Sequence, residues 1–148
     1  MSLRDDISKD VSASLKAGEK EKLSALRMLL SAVKYKEIDL RRPLADEEVH
    51  QVVSTLIRQR QDSIDQFRNG NRLDLAEKEE REMEILKAYL PPQLSADELR
   101  AIIKKAAADV GAAGQKDMGK LMKAIMPQVK GKADGKLVND IVKEVLGG

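Results

Sequence analysis

Gln115-Lys116-Asp117-Met118-Gly119-Lys120-Leu121-Met122-Lys123-Ala124-Ile125-Met126 is followed by Pro127-Gln128-Val129-Lys130-Gly131-Lys132-Ala133-Asp134-Gly135. Then comes Lys136-Leu137-Val138-Asn139-Asp140-Ile141-Val142-Lys143-Glu144-Val145-Leu146. The stretch predicts helix, hinge, helix. At about 100° per residue, Met118, Leu121, Met122, Ile125 and Met126 gather on one side of the first helix. Lys116, Lys120 and Lys123 gather on the other. The apolar side requires a core to cover it, and the lysine side faces solvent or an anion.

Working outward, every periodic segment has helical spacing and none alternates as a strand does. Two prolines, Pro91 and Pro92, stop a helix and stiffen an extended connector. Beyond them Ser95-Ala96-Asp97-Glu98 has the form of a capping box, opening a helix that runs to about Val110 with Leu99, Ile102, Ile103 and Ala106 inward. Upstream, Leu3, Ile7, Val11 and Leu15 mark a helix over 3–17, ended by Gly18. Leu23, Leu26, Leu30 and Val33 mark a second from about Glu19 to Ile38, broken at Arg41-Arg42-Pro43. A third spans about Asp46 to Asn69, with Asp46, Glu47 and Glu48 favouring its positive end. A fourth runs from about Leu73 to Tyr89. The expected architecture is all-α: a four-helix domain over 1–90, a Pro-Pro hinge, and a three-helix domain over 91–148.

Composition narrows function. Of 148 residues, 42% are hydrophobic and 35% charged, enough to build a core and to hold it in water. Aromatic residues are only 2% (Tyr35, Phe67, Tyr89), which argues against single-strand RNA platforms built on stacking. Cysteine is absent, so disulfides, thiolate metal sites and cysteine nucleophiles are excluded. No secretory signal pattern and no apolar run near the roughly 20 residues of a membrane span is present, so a cytosolic protein without membrane partners is expected. Net charge is +2 but uneven: residues 1–90 carry 17 basic and 18 acidic groups, residues 111–148 seven lysines and four acids.

Two charges interrupt apolar stripes. Arg60 falls among Val49, Leu56, Ile64 and Phe67, and Glu79 falls within the stripe of the fourth helix. Unpaired charges there are costly, so Arg60 and Glu79 are expected to pair across the two helices as a structural ion pair. Glu37 and, at the stripe's margin, Arg27 raise the same question on the second helix. His50 stands without a second ligand or a placed nucleophile and is read as structural or exposed. No zinc-protease, Walker or dinucleotide motif is present, so no catalytic residue, metal or cofactor is assigned. Lys116, Lys120, Lys123, Lys130, Lys132 and Lys136, with Gly131 and Gly135 allowing close approach, form the candidate anion-binding surface. Such a surface gives phosphate contacts without base specificity.

Asp117 to Lys123, Lys130 to Asn139 and Ile141 to Glu144 resemble the GatB/YqeY motif, which forms the tail domain of the B subunit of the tRNA-dependent amidotransferase. Leu26 to Leu30, Arg60 to Phe67, Leu75 to Glu79 and Glu84 to Pro91 are similar to YqeY proteins. Ala45 departs from the pattern, standing where a serine or threonine helix cap is common. Pro92 also departs, stiffening the connector. The resemblance implies an all-helical protein in two parts and a link to tRNA recognition. It does not imply an amidotransferase active site, because that chemistry belongs to a separate cradle domain. A carbon–nitrogen ligase label with glutamine as amido-N-donor would be inherited from the fused relative. The expected function is a non-catalytic module that binds tRNA or another structured RNA through its lysines. The alternatives are an accessory role in glutamine-dependent amidotransfer, beside amidotransferase-related proteins, and a protein–protein adaptor using Met118, Met122 and Met126.

Overall fold

The computed structural model describes residues 2–147. Seven α-helices and one short 3-10 turn account for its regular structure, and there is no strand among the described residues. The helices are α1 (Leu3–Ala17), α2 (Lys20–Leu40), α3 (Asp46–Asn69), α4 (Leu73–Lys87), α5 (Ala96–Val110), α6 (Met118–Val129) and α7 (Gly135–Val145). The chain divides into two compact units, Met1–Leu90 and Pro91–Gly148. No described helix is long and apolar enough to cross a membrane.

In the first unit α1–α4 enclose an aliphatic core centred on Ile7, Leu26, Leu29, Val33, Val49, Val53 and Leu86. Helix ends are placed by local chemistry. The Ser2 hydroxyl accepts the Asp5 amide at 3.1 Å, and Gly18, at φ 71°, closes α1 in the left-handed region. Ala45 offers α3 no side-chain cap. Glu48 instead accepts the Ala45 amide at 3.0 Å and is bound by Arg42 at 2.7 Å, tying the loop after α2 to the start of α3. The Tyr89 hydroxyl donates to Asp10 at 2.6 Å and sews the end of the unit to α1.

In the second unit Leu99, Ile103, Leu121, Ile125, Val129, Ile141 and Val142 form a separate core. Both halves of the predicted capping box are made: Ser95 Oγ accepts the Glu98 amide at 3.1 Å, and Glu98 accepts the Ser95 amide at 3.2 Å.

Several expectations are corrected. Leu15 is 57% exposed while Ser14 is buried. Steps of four residues drift by about 40° each, so Leu15 lies about 80° from Ile7, whereas Ser14 at i+7 lies only about 20° away. On α2 the deepest residues include Ala25 and Leu29, with Leu23 and Leu30 only half-buried. The second helix continues two residues past Ile38, and the fourth stops at Lys87, before Tyr89. Pro127 does not begin a hinge, because α6 runs through it to Val129. Proline forfeits one backbone bond there, but buried Val129 and the bond from the Lys130 amide to the Met126 carbonyl at 2.9 Å hold the last turn.

Two outcomes follow. Ser14 Oγ is buried without a hydrogen-bond partner, so Ser14→Ala should raise stability by about 1 kcal/mol in urea unfolding. The Arg42 guanidinium, then the Ala45 amide, depress the Glu48 pKa from 4.5 to about 2. Its stabilising effect is therefore complete above about pH 4.5 and is lost as pH falls toward 2. In melts across that window, Glu48→Gln should lose less melting temperature on acidification than the parent chain.

Candidate nucleic-acid interface

The lysines owe their exposure to the apolar side of α6. Leu121, Ile125 and Val129 are at most 1% exposed, and their burial turns Lys120 and Lys123 outward. Lys116 lies on the 3-10 turn Gln115–Asp117, Lys130 and Lys132 on the loop after α6, and Lys136 in the first turn of α7. All six are exposed. They occupy successive elements of one unit.

The loop carrying Lys130 and Lys132 is held by the segment after the prolines. Gln93 Nε2 donates to the Gly131 carbonyl at 2.9 Å and the Leu94 amide to the Lys132 carbonyl at 2.7 Å. Gly131 adopts φ 77°, a conformation a side chain would strain. Gln93 and Leu94 were not expected in this role, because no local spacing pairs residues nearly forty positions apart.

Charge is left over on this surface. Among the described residues none of the six lysines forms an ion pair, while two of the segment's acids are engaged elsewhere. Glu144 meets Arg100 at 2.6 Å, and Asp117 accepts the Ala113 amide at 3.0 Å. The Arg100 hydrogen bond, against a smaller opposing effect of burial, lowers the Glu144 pKa, so its negative charge is held in that pair. What remains is six cationic side chains against two exposed acids, Asp134 and Asp140, beside first-turn amides of α7 that have no intrahelical acceptor.

In the first unit Arg60 Nε lies 3.2 Å from Glu79 Oε2 and 3.2 Å from Glu82 Oε2. Its Nη2 also contacts the Met28 sulfur. The Nε approach to the acids is ionic rather than a well-aligned hydrogen bond. Glu82, three residues after Glu79 on the same helical face, was not expected, although its spacing was a signal that could have found it.

The family model described as Yqey-like protein matches residues 4–146. The chain belongs to the YqeY family. Similar proteins are those named Altered inheritance of mitochondria protein 41, mitochondrial. The Eremothecium gossypii protein is 39% identical over 98 residues, covering 64% of this chain and 54% of its own length. The Lachancea thermotolerans protein is 43% identical over 86 residues, covering 57% and 46%. That of Saccharomyces cerevisiae is 34% identical over 139 residues, covering 93% and 65%. This YqeY chain thus spans about half to two-thirds of the length of these relatives. Their names correct the cytosolic expectation, since each is called mitochondrial.

Other residues singled out in this YqeY chain have structural surroundings. Glu37 accepts from Arg4 Nε at 2.7 Å and from the Leu44 amide at 2.9 Å. Burial pushes its pKa up, but the Leu44 amide and Arg4 outweigh that and leave it below the ordinary value. Arg27 is exposed and His50 half-buried. No group of three or more His, Cys, Asp or Glu side chains among the described residues is placed to hold a metal. A 490 Å³ cleft beside α3 and α4 is lined by Gln61, Ile64, Arg68, Glu80, Arg81 and neighbouring acids. Its two arginines are paired, Arg68 with Glu80 and Arg81 with Glu21 outside the lining. Met118 and Met122 pack half-buried against the second core, while Met126 is 38% exposed.

Arg60→Ala should cost about 3 kcal/mol in chemical unfolding, because two carboxylates, 23% and 13% exposed, lose their cation. Adding Glu79→Leu and Glu82→Leu to Arg60→Met should recover most of that loss. A triple variant no more stable than Arg60→Ala would contradict this account.

Proposed function

We propose that this small helical module of the YqeY family binds structured RNA, tRNA above all, through the lysines of its second unit. The observation that carries the reading is the surplus of exposed lysines at 116, 120, 123, 130, 132 and 136, without ion pairs among the described residues. Two neighbouring acids of the same unit are occupied elsewhere. Helix N-termini and lysines favour phosphate without choosing a base. The scarcity of aromatic residues suits recognition by shape and backbone. The resemblance of this segment to the amidotransferase tail selects tRNA as the first RNA to try. The mitochondrial naming of the relatives makes mitochondrial tRNA the first tRNA. The role proposed is to hold RNA, with any amidotransfer chemistry performed by another protein.

Lys120→Glu, Lys123→Glu and Lys132→Glu combined should weaken binding of mitochondrial tRNA at least tenfold in fluorescence anisotropy and leave helicity by circular dichroism unchanged. The slope of log affinity against log salt should flatten by about two to three, near 0.7–0.9 per phosphate contact removed. Wild-type affinity and slope in a folded triple variant would refute the reading.

A further inference from the structure

We propose a second RNA-contacting surface in the first unit, the outward ridge of α2, which grips the phosphate backbone along its length and stacks a base at its end. This deepens the RNA-binding reading and shares with it only the class of ligand. The residues involved lie in the other unit.

The ridge is defined by a seven-residue repeat. Lys20, Arg27 and Lys34 lie on α2 seven residues apart, and Arg41 follows at its C-cap. All four are exposed. Seven residues are close to two turns, so successive cations lie about 10.5 Å apart and drift only about 20°. None forms an ion pair among the described residues. The nearest influence is that of Lys34 on Glu37, whose carboxylate is already bound by Arg4 at 2.7 Å. The ridge itself contains no acid. Glu21, at its border, is occupied by Arg81 at 3.0 Å, which leaves Glu19, at the N-cap, and Asp39 as the α2 acids without an ion pair among the described residues.

Between Lys20, Arg27 and Lys34 the ridge is low and polar. Ser24 and Ser31 repeat at the same interval and are exposed. Small hydroxyl residues let a rigid partner approach and supply donors for phosphate oxygens. A partner helix would instead require an apolar seam at these positions, and the seam is missing. At the C-terminal end Tyr35 is 75% exposed and Ile38 73%. The other tyrosine, Tyr89, is buried and bonded to Asp10, so Tyr35 is the tyrosine open to stack. Duplex RNA carries dense phosphate charge along its axis, so a line of cations of this length spans several phosphates.

Arg41 supplies an independent observation. It caps α2 at φ 58°, in the left-handed region where glycine is favoured and an arginine is strained. Glycine would end the helix with less strain. Arginine instead extends the line of cations.

The test uses the full chain, mitochondrial tRNA as probe and polyglutamate as the competing polyanion. Lys20→Gln, Arg27→Gln and Lys34→Gln combined should weaken binding about tenfold or more at 100 mM salt and flatten the salt slope by about two to three. Arg41→Gly should keep or raise the melting temperature while weakening binding several-fold. Tyr35→Ala should weaken binding where Tyr35→Phe does not. Wild-type affinity and slope in the α2 variant, with binding lost in the Lys120/Lys123/Lys132 variant, would overturn the ridge and leave the lysine surface standing. The reverse pattern would support the ridge and remove the lysine surface. A parent chain that binds no RNA would overturn both. Competition by polyglutamate equal to that by tRNA would overturn the ridge in favour of an acidic protein partner.

Discussion

Burial of narrow aliphatic stripes is the constraint on which this molecule depends. With few aromatic residues, volume must come from leucine, isoleucine, valine and alanine on one side of each helix. No single stripe covers itself, so helices must meet in groups. Leu26, Leu29, Val33 and Val53 require α2 and α3 together, and Ile103, Leu121 and Val142 require α5, α6 and α7 together. The hydrophobic effect is roughly proportional to apolar area removed from water, and here it is collected in two separate cores. The side chains facing outward do so because their neighbours are held inside.

That division sorts the charges. Where a charge must sit at a packed seam, the fold supplies opposite charge: Arg60 lies between Glu79 and Glu82, and Glu37 takes Arg4 and the Leu44 amide. Such pairs orient helices more than they stabilise them, because desolvation offsets much of the attraction. On solvent faces the pairing is selective. Glu21, Glu48 and Glu144 are each taken by an arginine, while the lysines of α6, the following loop and the start of α7 are not. Arginine's planar fork matches carboxylate and phosphate alike, so the arginines bound to these acids are engaged within the fold, while the unpaired lysines keep a compact, mobile charge. The surplus that results is the physical basis of the RNA-binding reading.

Much of the fold was legible because its signals are local. Gly18 ending α1, the Ser95–Glu98 box opening α5 and the limits of α3 all rest on contacts within a few residues. Errors came where a local rule met a distant neighbour. Leu15 completed an apolar pattern, yet helical drift carried it into solvent. Pro127 looked like a stop, yet Val129 beyond it belongs to the core. Of the candidate site, the exposure of Lys116, Lys120 and Lys123 was legible from helical spacing. Gln93 and Leu94 holding the lysine loop were not, because those contacts join separate elements, while Glu82 beside Arg60 was signalled by its spacing from Glu79.

The sequence by itself determined the all-helical class, the positions of most helices and the membership of the YqeY family. Helical periodicity, caps and breakers act over one or two turns and leave their record in residue order. Beyond the expected Arg60–Glu79 pair, only the tertiary structure decided which charges are spent on one another and which stay unpaired among the described residues. Glu144 reaches Arg100, Glu21 reaches Arg81, and the α6 lysines reach no acid among the described residues. Ion pairing depends on distances across elements, set by how the stripes pack, and residue order alone does not specify those distances.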